Sequence, residues 1–336
     1  MIRVPFAAAL LGLLSLGAAA DPLPSWTDGE ARSAIVAFVN DVTNPDGDRF
    51  VPEAERIAVF DNDGTLWAEQ PVYFQLMYAI DVVAERARAD ASFASSGALR
   101  AAAAGDLAGV MAHGEAGLIE VVNASHSGMS VTDFQASVRD WLTSTPHPTR
   151  GRPIGSLVYQ PMLELLRYLR DEGFRTYIVS GGGVDFIRAI SRDSYGIPTY
   201  QVVGSVGDHE YTSVNGVPAV MKKPGITFID DKAGKPVGIQ QHIGRRPIAA
   251  FGNSDGDFQM LEWTTSGPGP RFWLFVHHGD AECEYAYDRK SSIGRLDCGL
   301  DEAESRGWVV VSMKDDWKTM FPYEKTSSER KPAASR

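Results

Sequence analysis

Two aspartates stand one residue apart in the segment IAVFDNDGTLWAEQ, where Asp61 and Asp63 directly follow an apolar run. A carboxylate such as Asp61 can attack a phosphorus atom as a nucleophile, and Asp63 beside it can donate and accept a proton. The spacing therefore predicts half of a reaction centre. The letters DNDG are also typical of a turn, because Asp, Asn and Gly favour turn conformations. Evidence from other parts of the sequence is needed to distinguish a reaction centre from a simple turn.

Two further polar motifs follow segments that the sequence predicts to be strands. SGGG, at residues 180–183, follows the apolar residues 176–179, and GNSDGD, at residues 252–257, follows the segment 246–251. The carboxyl ends of parallel strands meet at one edge of a sheet, and ligands bind there. A turn explains any one of these motifs, but three motifs in the same position predict one site.

The residue types in these motifs suit phosphate and Mg²⁺. The hydroxyl of Ser180 and the amides of Gly181 and its neighbour can bind phosphate oxygens, because glycine permits a close approach of the backbone. Two adjacent carboxylates repel each other, and a hard cation such as Mg²⁺ relieves the repulsion while it bridges to the phosphate. Asn253, Asp255 or Asp257 would complete its coordination, and a lysine would neutralise the remaining charge.

The elements that position these motifs alternate between strand and helix in the second half of the chain. This order predicts an α/β fold with a Rossmann-like three-layer core, in which helices cover both faces of a parallel sheet. Residues 70–146 are alanine-rich with helical spacing of apolar residues, which predicts a helical cap inserted between residues 21–69 and 147–326 of the core. Short alternating pieces between residues 200 and 228 predict a small β excursion, with Lys222 on the solvated surface.

The first twenty residues have the pattern of a cleavable signal peptide. A positive charge at Arg3 precedes an apolar run over residues 6–16, and the small residues Ala18 and Ala20 fit signal peptidase. The run is shorter than the roughly twenty apolar residues that a membrane-spanning helix needs, although a retained anchor is the alternative. We therefore expect cleavage near Ala20, no stable membrane anchor, and a periplasmic or secreted protein.

Export would place the two cysteines in an oxidising compartment. Cys283 and Cys298 either form a disulfide in an oxidising compartment or stay as buried free thiols.

The polar residues 327–336 predict a disordered tail. The net charge of −11, without a block of Lys and Arg, argues against a nucleic-acid partner. No pattern in the sequence indicates an oligomeric state.

The motifs DNDGT, IVSGGG and GNSDGD, in this order and each after a strand, resemble those of the haloacid dehalogenase (HAD) superfamily. The likeness covers residues 56–311 and is greatest to the phosphatases, above all to the phosphoserine phosphatase branch, and the helical segment matches the inserted cap. The resemblance implies an aspartyl-phosphate mechanism with Asp61 as nucleophile and Asp63 as general acid and base. It implies phosphate binding by Thr65, Ser180, Gly181 and Lys235, and Mg²⁺ binding by Asp61, Asp63, Asn253 and Asp257.

Two of these assignments leave alternatives. The lysine of the family opens a helix upstream of the acidic motif, and Lys235, 22 positions before Asp257, fits best, with Lys232 as the alternative. The acidic motif of the family begins Gly-Asp, and here Asn253 stands in place of the aspartate. Its amide oxygen is a neutral and weaker ligand, so either Asp255 compensates or the affinity for Mg²⁺ is lower.

Three further residues are candidates for substrate recognition. Trp67 and Glu69 follow the first motif, where related proteins place a mobile flap beside the substrate, although Trp67 equally fits core packing. His126 lies in the polar cap segment NASHSGMS, which is suited to reach over the site. The sequence leaves phosphoserine-like, phosphocholine-like and nucleotide substrates open.

The sequence as a whole predicts an exported, Mg²⁺-dependent phosphomonoesterase that hydrolyses small phosphate esters. One rival is a haloalkanoate dehalogenase, against which Asp63 argues, because displacement of halide needs no proton donor at that position. The other rival is a non-catalytic member of the family that only binds a ligand. Asn253 is its only support, and Asp61, Ser180 and Lys235 oppose it.

Overall fold

A seven-stranded sheet forms the centre of the computed structural model, which describes residues 21–324. The predicted signal peptide in residues 1–20 and the predicted disordered tail in residues 327–336 lie outside the described residues. The strands are β1 (Ile57–Phe60), β2 (Arg175–Gly183), β3 (Val202–Val214), β4 (Val217–Phe228), β5 (Ala249–Gly252), β6 (Phe272–His277) and β7 (Val309–Ser312). Their order is β4-β3-β2-β1-β5-β6-β7, in which β3 and β4 are antiparallel and the other neighbours are parallel.

Both faces of this sheet are buried, as the alternating residues of β1 show. Ile57 and Val59 pack into one apolar cluster, whereas Ala58 and Phe60 pack into another. Because successive side chains of a strand point to opposite faces, the two clusters lie on opposite sides of the sheet. The predicted α/β fold with a three-layer, mostly parallel core is confirmed.

Helices surround the sheet and form the cap. Those of the described residues are α1 (Glu30–Thr43), α2 (Phe74–Ala89), α3 (Gly97–Ala103), α4 (Leu107–Ala112), α5 (Gly114–His126), α6 (Val131–Ser144), α7 (Gln160–Asp171), α8 (Val184–Arg188), α9 (Ser191–Tyr195), α10 (Gly234–His242), α11 (Phe258–Thr265), α12 (Cys298–Arg306) and α13 (Met313–Asp316). Over residues 21–324, no helix is long and apolar enough to cross a membrane.

Helices α2 to α6 lie between β1 and β2, where the sequence predicts a helical segment over residues 70–146. Residues of α2 to α5 share a separate apolar cluster, which includes Leu76 and Ile80 of α2, whereas the buried face of α6 packs into the main core. Phe74 and Tyr78, on a neighbouring face of α2, pack into the main core instead. Helix α2 therefore joins the cap helices to the core, and the exact domain boundary stays a prediction.

The β excursion predicted between residues 200 and 228 is a hairpin of two long strands rather than short pieces. β3 has 13 residues and β4 has 12, and they pair antiparallel. The hairpin contacts the cap, since the amide of Gly128 donates to the carbonyl of Lys222 and the amide of Lys222 donates to the carbonyl of Met129, both at 2.9 Å. Lys222 is only 6% exposed, so its expected place on the solvated surface is wrong, because the cap covers it.

Cys283 and Cys298 are both free thiols in the structure, and both are exposed. The sequence left a choice between a disulfide and two buried thiols. The structure shows neither arrangement, because the cysteines lie on the surface and are not bonded to each other.

Candidate active site

The three polar motifs meet at the carboxyl edge of the sheet, where they form one wall of a cavity of about 450 Å³. Asp61 follows β1, Ser180 lies near the end of β2, and Asn253 follows β5. Because β1 lies between β2 and β5, the three segments are neighbours in space. Residues of the cap helices α2, α5 and α6 and of the β3–β4 hairpin complete the cavity.

Lys235, in the first turn of α10, links Asp61 to Asp257. Its Nζ donates to Oδ1 of Asp61 at 2.7 Å, to Oδ1 of Asp257 at 2.5 Å and to the carbonyl oxygen of Val179 at 3.0 Å. Burial raises the pKa of Asp61, and the charge of Asp257 raises it further, while Lys235 opposes the rise. Lys235 is 2% exposed, whereas the alternative, Lys232, is exposed. The structure thus places Lys235 beside the predicted nucleophile.

Asp63 lines the same cavity, and an indole anchors its carboxylate. Nε1 of Trp67 donates to Oδ1 of Asp63 at 2.8 Å. Burial raises the pKa of Asp63 to about 6, and the hydrogen bond from Trp67 limits the rise. A carboxyl group with a pKa near the working pH can both give and take a proton. The geometry therefore suits the acid and base role that the sequence predicts for Asp63.

Trp67 itself belongs to the core. Its side chain is completely buried, and its ring centroid lies 4.9 Å from that of Phe74 and 6.3 Å from that of Phe186. Other residues line the cavity, and Trp67 reaches it only through Asp63. Of the two interpretations of Trp67, core packing is the one that the structure supports.

The loop at the end of β2 is open to the cavity at Ser180 and Gly181. Oγ of Ser180 accepts a hydrogen bond of 3.1 Å from the amide of Gly182. The amide of Gly183 donates instead to Oε1 of Gln75, a residue of the cap, at 2.7 Å. Ser180 and Gly181 can therefore reach a phosphate directly, while Gln75 holds the end of the loop.

Thr65 lies beneath the cavity rather than in its wall. The side chain is completely buried, and its Oγ1 donates to Oδ1 of Asn253 at 3.1 Å. The structure therefore shows Thr65 joining the first motif to the third. Direct binding of phosphate by Thr65 stays a prediction from the resemblance.

Asp257 holds the backbone of the third motif in place. Its Oδ2 accepts hydrogen bonds from the amides of Asn253 at 3.0 Å and Ser254 at 3.1 Å, and its Oδ1 accepts from Lys235. Both carboxylate oxygens therefore have partners in the protein. These contacts show that Asp257 positions Lys235, and metal binding by Asp257 stays a prediction.

Asp255 is directed at helix α12 and away from the cavity. Its Oδ1 accepts hydrogen bonds from the amides of Asp297 and Gly299, both at 3.0 Å. These amides lie at the start of the helix, where backbone N–H groups lack partners within the helix. The carboxylate of Asp255 therefore caps α12 in this structure, and the alternative in which Asp255 compensates for Asn253 as a metal ligand stays a prediction that these contacts do not support.

Glu69 contacts the side chain of Asn253. Oε1 of Glu69 accepts hydrogen bonds of 2.7 Å from Nδ2 of Asn253 and of 2.7 Å from the hydroxyl of Tyr287. Glu69 is 2% exposed, and burial raises its pKa well above the ordinary value. The sequence did not predict Tyr287 as a site residue, because it lies in the long loop between β6 and α12, which has no helical or strand period.

His126 is a buried, neutral residue on the cap side of the cavity. Its Nε2 lies 2.9 Å from Nε2 of Gln75, and its Nδ1 lies 2.7 Å from Oγ of Ser125. Burial lowers the pKa of His126 to about 3, and the positive charge of Lys222 contributes. The neutral ring therefore accepts from the Gln75 amide and donates to Ser125, so its predicted contact with substrate stays a prediction.

A buried ion pair in the same cavity wall has no signal in the sequence. Nζ of Lys222 donates to Oδ2 of Asp185 at 2.5 Å, and Nε2 of His209 lies 2.9 Å from the same oxygen. Nζ of Lys222 also lies 4.7 Å from the ring centroid of Phe134 in the cap. Since Asp185 belongs to α8 and the two basic residues to the hairpin, this cluster connects the hairpin to the segment after the SGGG motif.

Residues 58–262 match the sequence family of haloacid dehalogenase-like hydrolases. This chain belongs to that family. The matched range contains the three polar motifs, Lys235 and the cap helices, so the family predicted from the sequence is confirmed. None of the curated protein sequences matches the chain.

This HAD-like hydrolase is similar to several solved structures. A conserved protein of unknown function from Anaerococcus prevotii has a TM-score of 0.53 at 16% identity, over 83% of this chain and 91% of that chain. A protein of unknown function from Bordetella pertussis has a TM-score of 0.46 at 17% identity, over 77% of this chain and 99% of that chain. A phosphoserine phosphohydrolase-like protein from Francisella tularensis has a TM-score of 0.37 at 13% identity, over 82% and 100%. The first of these likenesses supports the fold.

The cavity of this HAD-like hydrolase is lined by carboxylate oxygens, which are the type of ligand that Mg²⁺ prefers. The carboxylates of Asp61 and Asp63 line the cavity, and the positive charge of Lys235 is shared between Asp61 and Asp257. Mg²⁺ binds through one or two carboxylates together with water and substrate phosphate. Between residues 21 and 324, no three His, Cys, Asp or Glu side chains converge on one point as a complete metal site. Asp61 and Asp63 are therefore the residues that would hold Mg²⁺, and Asn253 as a ligand stays a prediction.

Proposed function

We propose that this hydrolase is a Mg²⁺-dependent phosphomonoesterase that works through an aspartyl-phosphate intermediate. The observation that carries the proposal is the pairing of two unlike carboxyl groups in one cavity. Asp61 is bound by Lys235 at 2.7 Å, and Asp63 has a pKa of about 6. The first group is held for attack on phosphorus, and the second can exchange a proton near neutral pH.

Each residue then has a defined part in the two steps. A carboxylate oxygen of Asp61 attacks phosphorus, the ester P–O bond breaks, and Asp63 gives its proton to the leaving oxygen. Asp63 next takes a proton from water, whose oxygen attacks the phosphorus and releases Asp61 and inorganic phosphate. Ser180 and the amide of Gly181 bind the phosphate oxygens, where negative charge is spread, and Lys235, whose N–H groups are held by Asp61, Asp257 and Val179, supplies a nearby positive charge. Bound Mg²⁺ supplies further neutralisation of this charge.

A small phosphate ester is the substrate class that the cavity supports. Its volume is about 450 Å³, and the cap covers the motif residues, so a bulky polymer has little access to Asp61. The wall opposite the motifs is partly apolar. The apolar lining includes Leu76, Leu118, Ile119, Val122 and Phe134. On the pattern of residues 1–20, we extend the proposal to an exported enzyme whose partner is a small phosphate ester and not a nucleic acid.

The position of Asp63 favours a phosphatase over a haloalkanoate dehalogenase. A halide leaves without a proton, whereas an alkoxide leaving group needs one, and Asp63 lines the cavity beside Asp61. The ligand-binding rival, a member without turnover, lacks support in the geometry, since Asp61, Asp63 and Lys235 are all in place.

The test of this function is hydrolysis of an aryl phosphate by the purified protein. We expect turnover with added Mg²⁺, loss of turnover with EDTA, and loss in Asp61→Asn, which removes the nucleophile at constant shape. Asp140→Asn, an exposed position on the cap helix α6, is the matched control and should keep full activity. Thermal unfolding of each variant shows that the fold is intact.

Two outcomes would overturn the proposal. One is the absence of turnover across a broad panel of phosphate esters by folded, Mg²⁺-supplied protein. The other is release of halide from 2-haloacids without hydrolysis of phosphate esters, which would identify a dehalogenase.

A further inference from the structure

Apolar side chains from two separate elements line the cavity away from the three motifs. Helix α5 contributes Leu118, Ile119 and Val122, and their spacing of three and four residues places them on one face of the helix. The hairpin contributes Ile226 of β4, and Ile229 directly follows this strand. These five residues form an apolar wall in the cavity of the candidate active site.

The apolar wall has surface that the protein itself leaves uncovered. Ile226 is 38% exposed and Ile229 is 53% exposed. Ile119 is half-buried, and Leu118 and Val122 turn only part of their surface to the apolar cluster of α2 to α5. Single exposed apolar residues are common, but several that converge on one concave site mark a surface for a ligand. An apolar group that covers them removes apolar area from water, which stabilises its binding.

The charged side chains next to the apolar wall are mostly paired with each other. Nζ of Lys222 donates to Oδ2 of Asp185 at 2.5 Å, and both residues line the cavity although they are only 6% and 5% exposed. Nζ of Lys223 lies 3.2 Å from Oε2 of Glu210. Glu115, in the first turn of α5, is exposed, and an ion pair with an exposed carboxylate contributes little. A charged group on a substrate would therefore compete with an existing partner or with water.

Neutral polar groups of the cap beside this wall also have partners within the protein. The ring nitrogens of His126 are hydrogen bonded to Gln75 and Ser125. Oδ1 of Asn123 accepts a hydrogen bond of 3.0 Å from the amide of Gly225. A polar organic group that moved from water to this side of the cavity would lose its hydrogen bonds to water and would find these protein groups already engaged.

We propose that the alcohol released from the substrate is uncharged and apolar, and that its carbon chain lies against the apolar wall while the phosphate lies at the three motifs. The inference rests on the proposed function, because it names the substrate class of that same site. The cavity of about 450 Å³ has room for both parts, since sites for small organic molecules measure roughly 300–1,000 Å³.

This substrate class differs from the three that the sequence leaves open. Phosphoserine-like, phosphocholine-like and nucleotide substrates all carry charged or hydrogen-bonding groups on their organic part. Those groups lose water in the cavity and gain no free partner from the apolar wall. Simple alkyl and aryl phosphates therefore rank above all three.

Binding of phosphonates to the purified protein with added Mg²⁺ tests this inference without turnover. Titration calorimetry gives the affinities for methylphosphonate, n-butylphosphonate and 2-amino-4-phosphonobutyrate, which has the chain length of butylphosphonate and the charges of phosphoserine. We expect butylphosphonate to bind at least about tenfold more tightly than methylphosphonate, because each buried CH₂ contributes roughly threefold. We expect 2-amino-4-phosphonobutyrate to bind at least about tenfold more weakly than butylphosphonate, because its charges lose water.

Variants of the apolar wall connect this preference to named residues. Ile119→Asn and Ile229→Asn should each weaken the binding of butylphosphonate at least about threefold and leave that of methylphosphonate unchanged. Val217→Asn, at a 64% exposed position of the same hairpin, is the matched control and should change neither affinity. Thermal unfolding checks each fold, and Ile229→Asn keeps the test valid if Ile119→Asn unfolds, because Ile229 is exposed. Butylphosphonate that binds no more tightly than methylphosphonate, or an affinity that Ile229→Asn does not change, overturns the inference.

The inference and the proposed function can fail separately. Protein that prefers butylphosphonate through the apolar wall but hydrolyses no phosphate ester refutes the proposed function and retains an apolar binding site. Protein that hydrolyses phosphoserine or a nucleotide with a higher kcat/KM than butyl phosphate retains the function and refutes the apolar substrate class.

Discussion

Gln75 on the cap helix α2 accepts a hydrogen bond of 2.7 Å from the backbone amide of Gly183, at the end of strand β2. Nε2 of the same side chain lies 2.9 Å from Nε2 of His126. Because His126 is neutral, with a pKa lowered to about 3 by burial, its Nε2 accepts and its Nδ1 donates to Ser125. A continuous chain of hydrogen bonds therefore runs from the loop at the end of β2 through Gln75 into the cap helix α5.

Gln75→Leu should loosen this loop. The variant leaves the Gly183 amide and the Nε2 of His126 without their partner, and a buried polar group without a partner costs about 1–3 kcal/mol. We expect the free energy of unfolding to fall by that amount and KM for a phosphate ester to rise, measured by urea denaturation and steady-state kinetics. Gln241→Leu, at an exposed position of α10, is the control. Equal behaviour of the two variants would contradict the role of Gln75.

Lys235→Met should destabilise the protein strongly. The variant leaves Asp61 and Asp257 buried without the ammonium group that bonds to both. Removing one partner of a buried ion pair costs about 3–5 kcal/mol, which denaturant unfolding measures. Lys232→Met changes an exposed lysine of the preceding turn, and we expect a shift within about 0.5 kcal/mol. If Lys235→Met lowers the free energy of unfolding no more than Lys232→Met does, the ion pairs of Lys235 do not stabilise the fold.

Asp63→Asn should affect substrates according to their leaving groups. A p-nitrophenolate leaves without a proton, whereas an alkoxide must receive one, and Asp63 is the proposed donor. General acid catalysis contributes ~10²–10⁴-fold, so the rate constant of the first turnover, before dephosphorylation, should fall by that factor for an alkyl phosphate and by much less for p-nitrophenyl phosphate. Rapid-quench kinetics of the first turnover separates the two. An identical loss with both substrates would assign Asp63 to a role other than proton donation.

The ion pair between Asp185 and Lys222 should make part of the stability dependent on pH. Burial raises the pKa of Asp185, but the hydrogen bonds and charges of Lys222 and His209 outweigh burial and hold it below the ordinary value of 3.8. A carboxyl group whose pKa is lower in the folded state stabilises the protein above its ordinary pKa. That stability is lost as the pH falls through the folded-state pKa.

Asp185→Asn should therefore destabilise the protein at pH 7 more than at pH 3. Urea denaturation at the two pH values measures the difference, and Asp140→Asn, at an exposed cap position, provides the baseline. A destabilisation by Asp185→Asn that does not change with pH would show that the charge of Asp185 contributes nothing.

The motif residues could be predicted from the sequence because each motif is local. Asp61, Ser180 and Asn253 each follow an apolar strand segment, and parallel strands bring such segments to one edge. The distance of Lys235 from the acidic motif predicts its place, and it lies where the resemblance implies. A short segment that carries both its strand and its polar residues contains enough information to place the site.

The residues that hold the motifs in place could not be predicted in this way. Gln75, Tyr287 and Lys222 contact the site from a helix, a long loop and a hairpin that are distant in the chain. No sequence pattern around these residues indicates a role in the site, because only the tertiary packing brings them to their partners. The sequence predicts Lys222 on the surface because a charged residue in a glycine-containing strand is normally solvated, and only the cap removes it from water.

Strand β3 belongs to two parts of the molecule at once. Its first residues pair with β2 in the central sheet, and the remainder pairs with β4 in the hairpin that contacts the cap at Gly128 and Met129. The cap is therefore fastened to the core by its own chain connections and, independently, by a continuous ribbon of backbone. Movement of the cap away from the sheet therefore requires either that the backbone hydrogen bonds between Lys222 and the segment 128–129 break or that the hairpin moves together with the cap.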